Sequence, residues 1–188
     1  MSINFTARLV DSPKIQQRKS LFKYDAQNAS IVELDLKNKS DMIALNKAST
    51  SWMENGGKYA SSIFFEAAYS GSDKFYRKQN HFYALTTQNQ NFQELKPENI
   101  LGLMMFQEVK GAPNEISLLE VNPKTSMSCS FFRKYKQVGK KLVEFVQENF
   151  FQKDIQVWAD YYAINFYKKS GFKKNSKEPC DLLWKAVK

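Results

Sequence analysis

Residues 133–141, Arg-Lys-Tyr-Lys-Gln-Val-Gly-Lys-Lys, place Arg133, Lys134, Lys136, Lys140 and Lys141 around a single glycine. Behind them, Val138, Leu142, Phe145 and Val146 recur at the spacing of one helix face, which predicts an amphipathic helix running to about Asn149. The charge order is reversed for such a helix. Its amino end carries partial positive charge and favours acids, yet here the cations come first and Glu144 and Glu148 follow. A docked anion would reconcile the two, held by free backbone N–H groups that Gly139 lets come close. A solvated basic face in a lysine-rich chain would read the same way from this stretch alone.

The remaining reactive side chains narrow the chemistry. His81 is the only histidine, and Cys129 and Cys180 are the only cysteines. That is too few for a disulfide framework, and neither a zinc site nor a histidine-based nucleophile triad is expected. Each cysteine reads as a packing residue. Glu115 opens a strand pattern, and Asp160 stands where it could cap a helix.

The chain of 188 residues suits one domain, and 43% hydrophobic content, with 15 Phe, 9 Tyr and 3 Trp, can fill a core. A net charge of +9 and a pI near 9.4 favour acidic partners: a phosphorylated ligand, nucleic acid or an anionic surface. Mean hydropathy of −0.54 and a longest apolar run of only Ile100–Phe106 predict a soluble, cytoplasmic protein with no membrane partner.

The elements that must position these residues can be read in order. Residues 1–30 read as a partly ordered extension, with Ile3, Phe5 and Leu9 hinting at a strand, and 31–188 as the domain. Residues 31–37 alternate as a strand. A helix starts near Ser40-Asp41 and ends at Asn55-Gly56-Gly57; a second covers 60–69. Strands are expected at 81–87, at 100–109 (buried on both faces) and at 115–121, the last two as an antiparallel pair. After the connection 124–132 and the basic helix come a strand at 155–159, a helix capped by Asp160 and closed by Gly171, and a strand at 180–187. This is a mixed α/β layer architecture.

Two blocks now stand together. One is strand 115–121, Pro123, then Lys136-Gln137-Val138-Gly139-Lys140-Lys141. The other is Asp160 followed by Ala163-Ile164-Asn165-Phe166-Tyr167-Lys168-Lys169-Ser170-Gly171-Phe172. In this order they resemble the GNAT superfamily of N-acetyltransferases. The resemblance covers about residues 31–188 and is strongest from 100 to 174. It implies a central mixed, mostly antiparallel sheet, splayed to admit the pantetheine arm of acetyl-coenzyme A and flanked by helices. It implies that Lys136, Gln137, Val138, Gly139, Lys140 and Lys141 hold the pyrophosphate, and that the backbone of Leu119, Glu120 and Val121 bonds pantetheine. Asp160 stands at a position that contacts the cofactor, where the family usually carries Asn. Lys136 replaces the usual Arg or Gln, and Lys141 the usual Gly or Ala. Tyr167 matches the general acid that protonates the leaving thiolate; its alternative is a core aromatic. Glu115 stands where histone-acetylating relatives carry a glutamate and becomes the candidate base for the incoming amine, with Glu120 its competitor.

The resemblance thus implies an acetyl-coenzyme A-dependent N-acetyltransferase that acts by direct transfer to a primary amine in a ternary complex, with no metal and no acetyl relay through Cys129. The acceptor, small amine or protein, would lie near residues 50–75, with Trp52, Tyr59, Phe64 and Tyr69, and near the loop 122–132. Polyamines are disfavoured because like charges repel. A homodimer stays open. Two further readings stand beside this one: a degenerate GNAT domain that binds coenzyme A without catalysis, and a basic nucleic-acid-binding protein, for which no recognised motif speaks.

Overall fold

The fold is built outward from one strand that is apolar on both faces, β6 (Ile100–Gln107). The computed structural model describes residues 6–126, 133–174 and 183–186. In chain order the other elements are β1 (Arg8–Asp11), β2 (Lys14–Arg18), β3 (Tyr24–Asn28), β4 (Ser30–Glu33), α1 (Lys39–Glu54), α2 (Ala60–Ser72), α3 (Lys74–Arg77) and β5 (Asn80–Thr86). After β6 come β7 (Asn114–Val121), β8 (Tyr135–Lys136), α4 (Val138–Asn149), β9 (Ile155–Trp158), α5 (Ile164–Lys169), β10 (Phe172–Lys174) and β11 (Leu183–Ala186).

Eight strands form one sheet in the order β1-β4-β5-β6-β7-β9-β11-β10. Every pairing is antiparallel except β7 with β9, which is parallel. The continuous apolar run of β6 follows from its central place. Leu101, Met104 and Phe106 enter one core with Val138, Leu142 and Phe145 of α4, while Ile100, Leu103 and Met105 enter a second core with Leu45, Trp52 and Ile63 of α1 and α2. Gly102 lets α4 approach the sheet: a Cβ there would lie 2.7 Å from Val138 Cγ1 and 2.9 Å from Leu142 Cδ1.

Asn38 caps α1, its side chain accepting from the N–H groups of Ser40 and Asp41 at 2.8 and 3.3 Å. Gly171 closes α5 in the left-handed region, φ +88°.

The amino-terminal segment differs from the sequence expectation. Over its described residues it contributes a sheet edge, β1, and a hairpin, β2–β3, that joins β8 in a separate three-stranded sheet. Its strands are short and polar, and in β2 only Ile15 is buried. Backbone pairing with Tyr135 and Lys136, more than 100 residues away, holds it, and no local periodicity announces that. Ile3, Phe5, the loop 127–132 with Cys129, and Cys180 lie outside the described residues. The final strand is described at Leu183–Ala186, where it inserts between β9 and β10.

Candidate active site

β7 and β9 start together and then part. Their parallel pairing covers Asn114↔Ile155, Glu115↔Gln156 and Ile116↔Val157, and goes no further. The departure coincides with a bulge. Against β6, Met105 faces Leu118 and Phe106 faces Ile116, so Ser117 is the extra residue. A bulge increases local twist, and here it turns the carboxyl half of β7 away from β9. Ser117–Val121 therefore present an edge without a strand partner on that side among the described residues. Leu119, Glu120 and Val121 lie on this edge. Leu119 and Val121 pack toward the α4 core and Leu118 toward the α1/α2 core.

The amino end of α4 stands at the open end of this cleft. Gln137 adopts φ 70°, the left-handed region uncommon for a residue with a Cβ, and turns the chain from β8 into α4. The first helical bond runs from Lys141 N–H to Gln137 C=O, and no side chain caps the end. The N–H groups ahead of it thus lie outside the helical ladder, the arrangement that binds anions. Gly139 is buried there; a Cβ would sit 3.4 Å from both Phe166 and Val121, so this turn packs closely on α5 and β7.

The lysines of the segment are not all aimed at that end. Lys140 and Lys141 reach Glu144 at 3.3 and 2.7 Å. Burial pushes Glu144 up, but hydrogen bonds from Lys141 and Lys140 outweigh it and leave the carboxyl below its ordinary value. The charge order that looked reversed is thus partly balanced one turn along the helix. Lys136 belongs to β8, not to the helix, and its ammonium lies 3.6 Å from the centre of the Tyr24 ring.

Tyr167 projects from α5 with 6% of its surface exposed, between Phe166 and Phe172 at ring distances of 4.9 and 5.4 Å. Its hydroxyl makes no hydrogen bond to a described residue. Burial, then the nearby Tyr59 and Asp160, hold its pKa well above that of a free phenol. The group stays protonated at neutral pH.

Asp160 departs from the expected helix cap. Its side chain makes no capping bond. A short 3-10 turn, residues 161–163, precedes α5, and the carboxylate points across the cleft instead. It accepts from Lys58 Nζ at 2.7 Å and from the Tyr59 hydroxyl. Those bonds, Lys58 first, hold it below the ordinary carboxylate range. Glu120 reaches the same loop. Its two oxygens accept from the backbone N–H of Lys58 at 2.5 Å and of Tyr59 at 3.1 Å, which caps the amino end of α2 from another strand. Lys58 and Tyr59 thus strap the α1–α2 loop to both sides of the cleft. Glu115 sits at the closed end, accepting from Gln156 Nε2 at 3.0 Å and from Ser117 Oγ at 3.4 Å.

No protein-family model and no curated protein matches the chain. Solved structures do. The catalytic domain of the Tetrahymena Gcn5 histone acetyltransferase, in complex with coenzyme A, matches 85% of this chain and 91% of its own length, with a TM-score of 0.52 at 14% identity. The N-acetyltransferase PseH of Campylobacter jejuni matches 85% of this chain and 97% of its own, with a TM-score of 0.50 at 13% identity. The fold is that of the GNAT acetyltransferases.

Within this GNAT fold the chain brings together the free edge of β7, the uncapped end of α4 and the helix α5 that carries Tyr167. Such a set can bind an extended ligand carrying a phosphate and deliver one proton to it. Glu115 and Glu120 are separated to opposite ends of the β7 bulge. Trp52, expected near an acceptor, is 2% exposed and packs in the α1/α2 core, while Tyr69 is exposed. Sequence reasoning missed Lys58. It lies 62 positions from Glu120 and 102 from Asp160, and nothing local connects them. Among the described residues no group of acids, histidine and cysteine is arranged to hold a metal, and no helix is long and apolar enough to cross a membrane.

Proposed function

We propose that the chain is an acetyl-coenzyme A-dependent N-acetyltransferase acting on a primary amine by direct transfer in a ternary complex. The observation that carries this reading is the cleft itself: β7 leaves β9 at the Ser117 bulge, with the uncapped end of α4 at its mouth and with Tyr167 close to Tyr59 and Asp160, which meet across it. The residues fit coenzyme A. N–H groups at Gln137, Val138, Gly139 and Lys140 suit its diphosphate. The open edge of Leu119, Glu120 and Val121 suits its amide-bearing arm. Bound there, the molecule supplies an acetyl thioester.

The chain's part in the reaction follows. Backbone N–H groups on the β7 edge polarise the thioester carbonyl. Glu115, at the bulge end, takes a proton from the incoming ammonium through water. Tyr167, kept protonated by burial, gives its proton to the departing thiolate. Cys129 carries no acetyl group. The acceptor enters from the α1–α2 side, where Tyr59 and Tyr69 offer aromatic surface. The strap from Lys58 and Tyr59 to Asp160 supports one second reading, a domain that holds coenzyme A without turning it over.

A thermal-shift titration tests the cofactor. A ligand that binds only the folded state stabilises it by about 2.7 kcal/mol at a hundred times its dissociation constant. Acetyl-coenzyme A is expected to give a saturable shift at fixed ionic strength. A shift with RNA or DNA alone, falling steeply with salt, would sink the transferase. Acetylation of any amine would remove the non-catalytic reading.

A further inference from the structure

The β2–β3 hairpin carries a cluster that the proposed reaction does not use. At its tip Phe22 is 91% exposed and Leu21 53% exposed. The tip is well formed. Arg18 Nε donates to Ser20 C=O and Arg18 Nη2 to Leu21 C=O, each at 3.1 Å, and Lys19 N–H donates to Lys23 C=O at 2.9 Å. The Tyr24 hydroxyl donates to Arg133 C=O at 3.1 Å, which fixes its ring, and the Lys136 ammonium rests over that ring at 3.6 Å. Arg18, Leu21, Phe22, Tyr24 and Lys136 line one open cleft with a cavity volume of about 230 Å³. Lys23, at the tip, stands 3.9 Å from Asp25.

A flat, solvated aromatic ring beside two cations suits a heteroaromatic base joined to a phosphate. The base stacks on the ring and the phosphate meets the cation. The position of the cleft selects among such ligands. Lys136 pairs with Gln16 of β2 and immediately precedes Gln137, whose left-handed turn opens α4. Lys136 thus adjoins both the hairpin and the end of α4, so a ligand with its diphosphate on that end can reach the hairpin with its nucleoside.

We propose that the hairpin cleft binds the 3′-phosphoadenosine end of coenzyme A, with Phe22 stacking on adenine and Lys136 holding the 3′-phosphate. This rests on the coenzyme A reading above. Arg18 acts as a positioning residue that holds the tip in shape and adds positive charge. Lys136 thereby moves from the diphosphate, where the resemblance placed it, to the 3′-phosphate.

Calorimetric titration of the full chain with coenzyme A and with 3′-dephospho-coenzyme A tests the assignment. The wild-type protein is expected to prefer coenzyme A by about tenfold, the worth of one charge-assisted bond. Lys136→Gln is expected to abolish that preference while leaving the affinity for the dephospho form unchanged. Phe22→Ala is expected to weaken both ligands by about tenfold at an unchanged ratio. Both side chains lie at the surface, and an unchanged unfolding midpoint in the absence of ligand would confirm that the variants fold. Equal affinity for the two ligands, with Phe22→Ala altering neither, would overturn the hairpin assignment and leave the transferase standing. Equal weakening of both ligands by Lys136→Gln would return Lys136 to the diphosphate and overturn the assignment as well. No binding of either ligand would overturn the coenzyme A reading and this inference with it. Single-stranded oligoadenylate bound more tightly than coenzyme A, and lost in Phe22→Ala, would replace the occupant with RNA.

Discussion

Tyr59 and Asp160, 101 residues apart, meet across the mouth of the cleft, the phenol donating to the same carboxylate oxygen that Lys58 holds at 2.7 Å. The contact ties the α1–α2 loop to the strand-to-helix turn after β9. It also places a negative charge beside a site proposed for an anionic ligand.

Removing that charge while keeping a hydrogen-bonding side chain should favour the ligand. Asp160→Asn is expected to tighten acetyl-coenzyme A binding by about threefold at low salt, with the gain shrinking as salt rises. The Asp160 side chain is 42% exposed, so the cost in stability should stay below about 1 kcal/mol. Calorimetry at two ionic strengths checks both points, and weaker binding at low salt would contradict the electrostatic account.

Tyr167→Phe separates the acid from the core aromatic. The hydroxyl has no described protein partner, so its loss should leave the unfolding midpoint nearly unchanged. Without the proton donor, kcat should fall by about a hundredfold or more while the dissociation constant for acetyl-coenzyme A holds steady. Steady-state kinetics with a saturating amine would show this. Unaltered kcat would make Tyr167 a packing residue.

Asp41 is fully buried, with Oδ1 lacking a partner and Oδ2 accepting from Asp35 N–H at 3.0 Å. Burial raises its pKa from 3.8 to about 6. The folded state then binds the proton more tightly than the unfolded chain. Stability should fall as pH rises from about 4 to about 6 and stay lower above that, an effect of up to about 3 kcal/mol. Asp41→Asn should be the more stable protein at pH 7 and should lack this slope. Denaturant titrations at pH 4, 5, 6 and 7 measure it.

His81 adds a second loss of stability with rising pH, in a higher range. Its ring bridges Glu33 and Glu108, with 2.8 Å at each nitrogen, and two carboxylate partners require a proton on both nitrogens. Burial opposes the charged ring, but Glu33 and then Glu108 outweigh it and raise the pKa above its usual 6.5. Glu33, hydrogen-bonded first by His81 and then by Arg8, is lowered from 4.5. The His81 contribution is fully present below pH 6.5 and is lost as pH rises through the raised value. The Glu33 contribution is present above pH 4.5 and is lost on acidification. The unfolding midpoint should therefore decline on the alkaline side of pH 6.5, and His81→Gln should flatten that decline.

Strong local patterns made much of the fold legible. The run at 100–107, the amphipathic spacing from Val138 to Val146 and the Gly171 cap each depend on neighbours within a turn or a strand, and each appears where the spacing puts it. Asp160 was misread for the same reason. A carboxylate ahead of a helix is the usual cap, but an ammonium and a phenol from residues 58 and 59 compete for it, and they win.

By itself the sequence determined the order β4-α1-α2-β5-β6-β7-α4-β9-α5-β11, the two-faced burial of β6, a basic turn ahead of α4 and an aromatic helix bearing Tyr167. These depend on side-chain period and on residues close in the chain. Only the tertiary structure decided where β7 leaves β9, which lysines face Glu144 or Tyr24 instead of the helix end, and which loop straps Asp160. Those contacts join segments roughly 40 to 110 residues apart, except the Glu144 pair, whose geometry rests on rotamers. A one-dimensional pattern holds no distance between such segments, because packing alone brings them into reach.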